Sequence, residues 1–284
     1  MCRRRPCRVV ETLKPVRSEP AVVPHATADG RRLYYDSDGA GEPVLFVGDV
    51  GLGAWQWGWQ HGAVAGPYEA VTADHRGVGR SEAPAGPRRL SGLVDDAVAV
   101  LRDHGSRSAH VVGCGLGGAV ALALARRTER VRSLALFGTP AVGDDYDPTP
   151  LRAAPDDREA LRTSLTAALS AGFVERHGDA LARMAEWRAA EDAGLDAWDA
   201  QRAALEGFDP RDALYEVTVP ALVVHGEADA LCPAAAGRRL AEGLPRGEFH
   251  GVAEAGHLVH VEAARPVTDR LLAFLDDVGA DRGG

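Results

Sequence analysis

Lysine, cysteine and long apolar runs are all scarce in this chain of 284 residues. Lys14 is its single lysine, a bias of composition that indicates no particular chemistry. The four cysteines are too few and too scattered for a disulfide framework, which favours a reducing, cytoplasmic location. No apolar run approaches the roughly 20 residues of a membrane span, so we expect no membrane partner.

Basic residues are also fewer than acidic ones. The chain has 32 Lys and Arg against 41 Asp and Glu, a formal net charge of −9. This balance argues against nucleic acid as a partner, because binding a phosphate backbone requires a basic face. Apolar residues make up 45% and charged residues 26% of the chain, which is ordinary globular usage and excludes disordered or fibrous proteins.

The first 24 residues are basic but contain no apolar stretch followed by a small-residue cleavage site. A secretory signal is therefore not expected, and residues 1–24 are predicted to be a disordered extension.

From Gly30 onward, short β-rich runs alternate with segments of helical periodicity. This alternation predicts a mostly parallel sheet covered by helices on both faces. Strands are predicted at Arg32–Asp36, Val44–Val47, Ala70–Ala73, Ala109–Gly113, Val131–Phe137, Ala221–His225 and Glu248–Val252. Helices are predicted at Leu90–His104, Leu116–Arg127, Pro233–Leu244 and Arg265–Leu275.

Residues 147–214 depart from this rhythm, because they are rich in Ala, Arg, Asp and Glu with helical spacing and no strand candidate. They are interpreted as a helical insertion into a core formed by residues 25–146 and 215–284. An insertion between two strands would lie over the carboxyl ends of the sheet, where doubly wound folds place their sites. The alternative is a separate small helical domain.

Four segments occur in the order that is typical of one family. They are VTADHRGVGRS at Val71–Ser81, AHVVGCGLGGAVALALARR at Ala109–Arg127, PALVVHGEADALCP at Pro220–Pro233, and AEAGHLVHVEAARP at Ala253–Pro266. Together they resemble the α/β-hydrolase superfamily from about Gly30 to Leu275. The resemblance implies a doubly wound, mostly parallel sheet with an inserted helical cap and a small-molecule substrate or ligand.

The nucleophile of that family is the central residue of a G-x-S-x-G turn between strand and helix. Here the turn reads Gly113-Cys114-Gly115-Leu116-Gly117, so the nucleophile position is Gly115. Glycine adopts positive φ freely, whereas another residue there stores about 1 kcal/mol or more of strain. The sequence thus predicts a turn that is retained and a nucleophile that is lost. The Gly115→Ser variant is expected to be slightly destabilised by this strain, to react with fluorophosphonates and to hydrolyse p-nitrophenyl esters weakly.

The same turn has two other interpretations. Cys114 would be a thiol nucleophile only if the turn slipped by one residue, so it is expected to be a buried apolar residue that could line the pocket. Gly113, Gly115 and Gly118 also imitate a dinucleotide fingerprint, but no acidic residue ends the next strand. We therefore expect no cofactor, and the scattered histidines predict no metal site.

The resemblance assigns His257 as the catalytic histidine and Asp229 as the acid that orients it. An imidazole can move a proton near neutral pH, and a carboxylate on its other nitrogen fixes the tautomer. Singly, His257 could be a loop histidine and Asp229 a helix cap. Their joint placement in two family motifs favours a His-Asp dyad.

The resemblance also places an oxyanion hole after the second core strand, with the backbone N–H groups of Asp49 and Leu116 as the matching donors. A carboxylate on Asp49 would oppose a developing oxyanion if it faced the site; the alternative is that it points to solvent or caps the adjacent turn. Trp55 and Trp57 are candidates for lining an apolar pocket, although core packing is the default for such residues.

These residues predict hydrolysis of a small ester, lactone or other carbonyl substrate. His257 would act as general base with Asp229, and no covalent serine intermediate would form. The alternatives are a cofactor-free lyase or isomerase and a noncatalytic ligand-binding or interaction protein. The sequence does not decide between an enzyme and a binding protein, and it leaves the oligomeric state open.

Overall fold

The computed structural model describes residues 24–83 and 89–281. An eight-stranded sheet with the order β1-β2-β4-β3-β5-β6-β7-β8 forms the centre of the molecule. Its strands are β1 His25–Ala28, β2 Arg31–Gly39, β3 Pro43–Val47, β4 Glu69–Ala73, β5 Ala109–Cys114, β6 Val131–Phe137, β7 Ala221–Gly226 and β8 Gly247–Val252. β1 and β2 are antiparallel to their neighbours, and the remaining pairs are parallel.

The buried strands are continuous apolar runs rather than alternating ones. Every residue of β5 and β7 is buried, as expected for parallel strands covered on both faces. The predicted doubly wound, mostly parallel sheet is confirmed. Each of the seven predicted strands is present, whereas β1 was not predicted.

Ten α-helices surround the sheet in the part of the chain that the structure describes. They are α1 Gly58–Val64, α2 Leu90–Asp103, α3 Leu116–Arg127, α4 Arg158–Ala168, α5 Ala171–Arg176, α6 Gly178–Glu191, α7 Leu195–Arg202, α8 Ala234–Gly243, α9 Val259–Glu262 and α10 Ala264–Ala280. The four predicted helices correspond to α2, α3, α8 and α10. No helix among the described residues is both long enough and apolar enough to cross a membrane.

The strand order reverses between β3 and β5. From β3 the chain passes to β4 on one side, and β5 then pairs with β3 on the other side. Ligands of open α/β sheets bind in the crevice at the carboxyl ends of such strands. Asp49 follows β3 and Gly115 follows β5, so both lie at this crevice.

Between β6 and β7 the structure contains helices only, α4 to α7 together with short 3-10 turns. This segment contacts the loop after β3: the Gly51 N–H donates to Gln201 Oε1 at 2.8 Å, and the Gly53 N–H donates to Asp192 Oδ1 at 3.0 Å. It therefore lies beside the crevice. The domain boundaries at residues 147 and 214 stay a prediction, and the extension predicted for residues 1–24 lies, except for residue 24, outside the described residues.

Candidate active site

Gly115 forms the tight turn between β5 and α3. Its backbone has φ 50° and ψ −111°, a region that side chains strongly disfavour. The turn points the Gly115 Cα toward the loop after β3. A Cβ built on Gly115 would lie far inside van der Waals contact of the Asp49 carboxylate. The space that a nucleophile at position 115 would need is filled by Asp49.

Asp49 is fully buried and faces the site rather than solvent. Its Oδ1 accepts hydrogen bonds from the N–H groups of Val50 at 2.7 Å and Leu116 at 2.9 Å. Its Oδ2 accepts a hydrogen bond from the Tyr146 hydroxyl at 2.6 Å and lies 3.1 Å from His257 Nε2. Of the two orientations that the sequence leaves open, the structure adopts the one in which the carboxylate enters the site.

The two N–H groups that converge at Asp49 Oδ1 have the arrangement of an oxyanion hole. The structure places Leu116 N–H there, as expected. The N–H of Asp49 itself does not take part, because it donates to Gln56 Oε1 at 3.3 Å. The neighbouring Val50 N–H takes that position instead, so the expected donor is displaced by one residue.

His257 and Asp229 meet at the carboxyl ends of β8 and β7. His257 Nδ1 lies 2.8 Å from Asp229 Oδ2, and both side chains are buried. The other Asp229 oxygen accepts hydrogen bonds from the N–H groups of Leu231 and Cys232, each at 2.9 Å. These bonds fix the carboxylate, and the carboxylate in turn fixes the imidazole. His225, for which the sequence indicates no role, also contacts Asp229 through its Nε2 at 3.1 Å.

The imidazole of His257 lies between two carboxylates. Burial alone lowers its pKa, but the charge and hydrogen bond of Asp229, with further hydrogen bonds to Asp49 and Cys114, outweigh burial and raise the pKa well above its usual value. For Asp229, burial raises the pKa, and the charge of His257 with hydrogen bonds from His225, His257 and Cys232 outweighs it and lowers the pKa. The two carboxylates beside the ring therefore favour the imidazolium form of His257.

Tyr146 covers this pair, and sequence reasoning did not identify it. Its ring stacks on His257 with 4.9 Å between centroids and an interplanar angle of 18°. Burial and the Asp49 carboxylate raise the pKa of its hydroxyl well above the usual value, so it remains a proton donor. Tyr146 lies between β6 and α4, in a region that no recognised motif covers, and no signal in a single sequence distinguishes it from other aromatic residues.

Cys114 ends β5 and is fully buried. Burial raises the pKa of its thiol to about 12, so the displaced-thiol alternative lacks the thiolate that nucleophilic attack requires. The potential ligand atoms of Asp49, Cys114 and His257 lie within 4.8 Å of one another. A zinc ion would need a thiolate in this set. The N–H and O–H groups directed at Asp49 instead fit a carboxylate without a metal ion.

Trp55 and Trp57 are both buried. The indole N–H of Trp55 donates to Asp192 Oδ1 at 2.8 Å, which ties the loop after β3 to α6. Trp57 stacks on His260 with 4.6 Å between centroids and packs against Phe46. These are packing contacts, and a pocket-lining role for either tryptophan stays a prediction.

A family model described as alpha/beta hydrolase fold matches residues 57–264. The putative carbamate hydrolase RutD of Azorhizobium caulinodans is 30% identical over 271 residues, which cover 90% of this chain and 99% of that protein. The enol-lactonase of Burkholderia xenovorans is similar in structure, with a TM-score of 0.80 and 26% identity over 89% of this chain and 100% of that one. A solved N-acyl homoserine lactone degrading enzyme has a TM-score of 0.76 and 28% identity over 88% of this chain and 100% of its own.

The match to the family model spans most of the chain, and the ordered turn, acid and histidine of the sequence are brought together at one end of the sheet. This chain therefore belongs to the alpha/beta hydrolase fold family.

Proposed function

We propose that this chain is a hydrolase of a small molecule, in which Asp229 and His257 transfer protons and no covalent serine intermediate forms. The observation that supports it most directly is the 2.8 Å contact between His257 Nδ1 and Asp229 Oδ2. This contact leaves Nε2 directed at Asp49 Oδ2, 3.1 Å away, and a substrate or a water molecule would react at this point. A His-Asp pair oriented in this way is the acid–base element of a hydrolase site.

The absence of a side chain at Gly115 rules out an acyl-enzyme at the elbow. The backbone donors of Leu116 and Val50 are nevertheless retained and converge on one point. A binding protein has no requirement for such donors beside an oriented imidazolium. Their retention supports a reaction in which negative charge develops at that point.

The relatives indicate the first substrate class to test. The similar proteins include a putative carbamate hydrolase, an enol-lactonase and a lactone degrading enzyme, which supports a small carbonyl compound such as an ester, lactone or carbamate. The groups in the site suffice for acid–base catalysis, so the proposal includes no cofactor. Its partner is a small molecule.

The test is a hydrolysis screen over esters, lactones, carbamates and epoxides with four proteins. Wild type is compared with His257→Ala, Asp229→Asn and the control His250→Ala, which changes a partly exposed histidine on β8. We expect kcat to fall by about 100-fold or more in His257→Ala, the lower end of general-base contributions, and to be unchanged in His250→Ala. Full activity in His257→Ala would contradict the proposal.

A noncatalytic ligand-binding or interaction protein is the second candidate. It is favoured by one observation: Asp49 and His257 are both completely buried, and Tyr146 covers them. Folded wild-type protein that turns over no member of the screen would support this candidate over the hydrolase.

A further inference from the structure

The two oxygens of the Asp49 carboxylate have different surroundings. Oδ1 is held by the N–H groups of Val50 and Leu116, at 2.7 and 2.9 Å. Oδ2 faces the imidazole of His257 and the hydroxyl of Tyr146, at 3.1 and 2.6 Å. One oxygen is therefore fixed in the oxyanion hole, while the other lies at the point where proton-transfer groups meet.

From this asymmetry we propose that Asp49 is the nucleophile of this protein, and that its Oδ2 forms a covalent ester with a substrate at a saturated carbon that bears a leaving group. Epoxides and alkyl halides are the substrate classes with this chemistry. The inference rests on the proposed hydrolase function, because a second step requires His257 and Asp229 to activate water, but it replaces the carbonyl compounds of that proposal with these two classes of substrate. In this proposal the nucleophile lies at the end of β3, whereas the family pattern places it at the end of β5.

Because Asp49 Oδ1 occupies the oxyanion hole, the site favours a substrate that reacts at a saturated carbon over one that reacts at a carbonyl group. Attack on a carbonyl creates an oxyanion that needs the donors of Val50 and Leu116 at once, and Asp49 Oδ1 already holds them. Displacement at a saturated carbon creates no charge at the hole, so its donors can stay on Oδ1. They are then in place when the aspartyl ester is hydrolysed.

The first step with an epoxide balances with the groups in the site. Asp49 Oδ2 bonds to a ring carbon, the C–O bond of the ring breaks, and the ring oxygen keeps the electron pair and takes the proton from His257 Nε2. The substrate displaces the Tyr146 hydroxyl from Oδ2, and that hydroxyl then donates a hydrogen bond to the ring oxygen. An alkyl halide needs no proton, because the halide leaves as an anion.

The second step needs a neutral imidazole: the epoxide step leaves His257 neutral, and after an alkyl halide His257 first releases its proton to water. His257 Nε2 takes a proton from water as the water oxygen bonds to Asp49 Cγ, and the electron pair on Oδ1 is held by the N–H groups of Val50 and Leu116. The tetrahedral species then breaks its Cγ–Oδ2 bond, and the departing alkoxide takes the proton of the new Cγ hydroxyl. The products are a diol, the Asp49 carboxylate and the His257 imidazolium, as at the start.

Esterification of Asp49 also prepares His257 for the second step. It removes one of the two carboxylates that flank the imidazole, since Asp49 becomes neutral while Asp229 keeps its charge. The proton on His257 is held less tightly in the ester than in the resting site. The same residue is therefore an acid before esterification and a base after it.

The first experiment traps the ester. His257→Gln keeps a polar side chain but can neither protonate a ring oxygen nor take a proton from water, so incubation with butyl bromide, whose leaving group needs no proton, should add one butyl group to the protein, mapped to the peptide with Asp49. Asp49→Ala/His257→Gln should gain no mass, and the peptide with Asp229 should remain unmodified. Styrene oxide is the second probe and should modify the same residue more slowly, because its ring oxygen lacks the proton of His257.

The second experiment follows oxygen atoms in wild type. A single turnover of styrene oxide in oxygen-18 water, with enzyme in excess, should place the label in the Asp49 peptide and leave the diol unlabelled. Direct attack by water would place the label in the diol and would overturn the inference. The isosteric Asp49→Asn, checked for folding by circular dichroism, should show no turnover in the same assay.

The two proposals fail in different ways. If esters or lactones are hydrolysed with a requirement for His257, and neither probe modifies Asp49, the proposed function stands and Asp49 is not the nucleophile. If the His257→Gln adduct forms on Asp49 but wild type never releases product, the nucleophile is assigned correctly and the hydrolase function is wrong. Modification of another residue contradicts the inference.

Discussion

A side chain at Gly115 and the carboxylate of Asp49 exclude one another. A Cβ at Gly115 would meet both Asp49 oxygens and its Cγ, and one of these oxygens, Oδ1, is held by the N–H groups of Val50 and Leu116. Glycine at position 115 and the buried carboxylate of Asp49 therefore depend on each other. A side chain added at position 115 alone clashes with Asp49, and removal of the Asp49 side chain alone leaves an empty space beside Gly115.

Serine at position 115 is expected to fail alone and to work when Asp49 is removed. Gly115→Ser forces Asp49 out of the hole and should be strongly destabilised, with no reaction toward fluorophosphonates. In Gly115→Ser/Asp49→Ala the serine hydroxyl occupies the space that Asp49 leaves, beside the backbone N–H donors and within reach of His257. The strained turn costs about 1–3 kcal/mol. We expect this protein to be labelled by fluorophosphonates and to hydrolyse p-nitrophenyl acetate.

Two controls accompany that variant. Asp49→Ala alone has the open hole without a nucleophile and should not be labelled. Adding His257→Ala to the double variant should remove labelling, because the introduced hydroxyl would then lack its base. Labelling of Gly115→Ser by itself would show that Asp49 leaves the hole readily.

The sequence predicted the sheet and the positions of His257, Asp229 and Gly115 because each lies in a local segment with a strong pattern. It also raised the conflict between Asp49 and the oxyanion hole. It did not predict that the carboxylate would fill the space of the nucleophile, since that depends on how the ends of β3 and β5 approach each other. The modest cost expected for Gly115→Ser did not include the contact between the new side chain and Asp49.

Tyr146 shows a second limit. Its position over His257 is set by the path of the chain between β6 and α4, where the sequence offers helical spacing but no motif. The donor at Val50 was missed by one residue, because the choice between neighbouring N–H groups depends on backbone direction and on Gln56. Long-range geometry, rather than local pattern, decides each of these features.

Arg188 is expected to hold the helical segment together. It is buried, its guanidinium pairs with Asp192, and it donates to the carbonyl groups of Leu151 and Leu161. Arg188→Leu leaves Asp192 as an uncompensated buried charge, so we expect a loss of about 3–5 kcal/mol in the free energy of unfolding. Urea denaturation measures this, with Arg162→Leu on the exposed face of α4 as a control that should change stability by less than about 0.5 kcal/mol.

Cys114 and Cys232 are expected to resist thiol reagents in the folded protein. Both are buried, and burial raises the pKa of each thiol, to about 12 for Cys114, so almost no thiolate exists at pH 8. A variant with Cys2→Ser and Cys7→Ser reports on these two alone. Its reaction with Ellman's reagent should be slow in buffer and rapid in urea, and a fast reaction of Cys114 in the folded protein would revive the thiol mechanism.

The charge on His257 should make a pH-dependent contribution to stability. Burial lowers its pKa, but Asp229, Asp49 and Cys114 outweigh burial and raise the pKa above the unfolded value of about 6.5; Tyr146 stacks on the ring. A raised pKa stabilises the folded state fully below pH 6.5, and this stabilisation is lost as the pH rises from 6.5 through the folded pKa. The difference in unfolding free energy between wild type and His257→Gln should therefore shrink by up to about 1.4 kcal/mol per pH unit above that point. Because the pKa of Asp229 is lowered, its own contribution is lost only as the pH falls below about 4.

Urea denaturation from pH 5 to 9 measures the curve, with His250→Gln as a control. A difference between wild type and His257→Gln that stays constant over this range would mean that His257 is neutral in the folded protein, and the acid-to-base cycle assigned to it would lose its starting state.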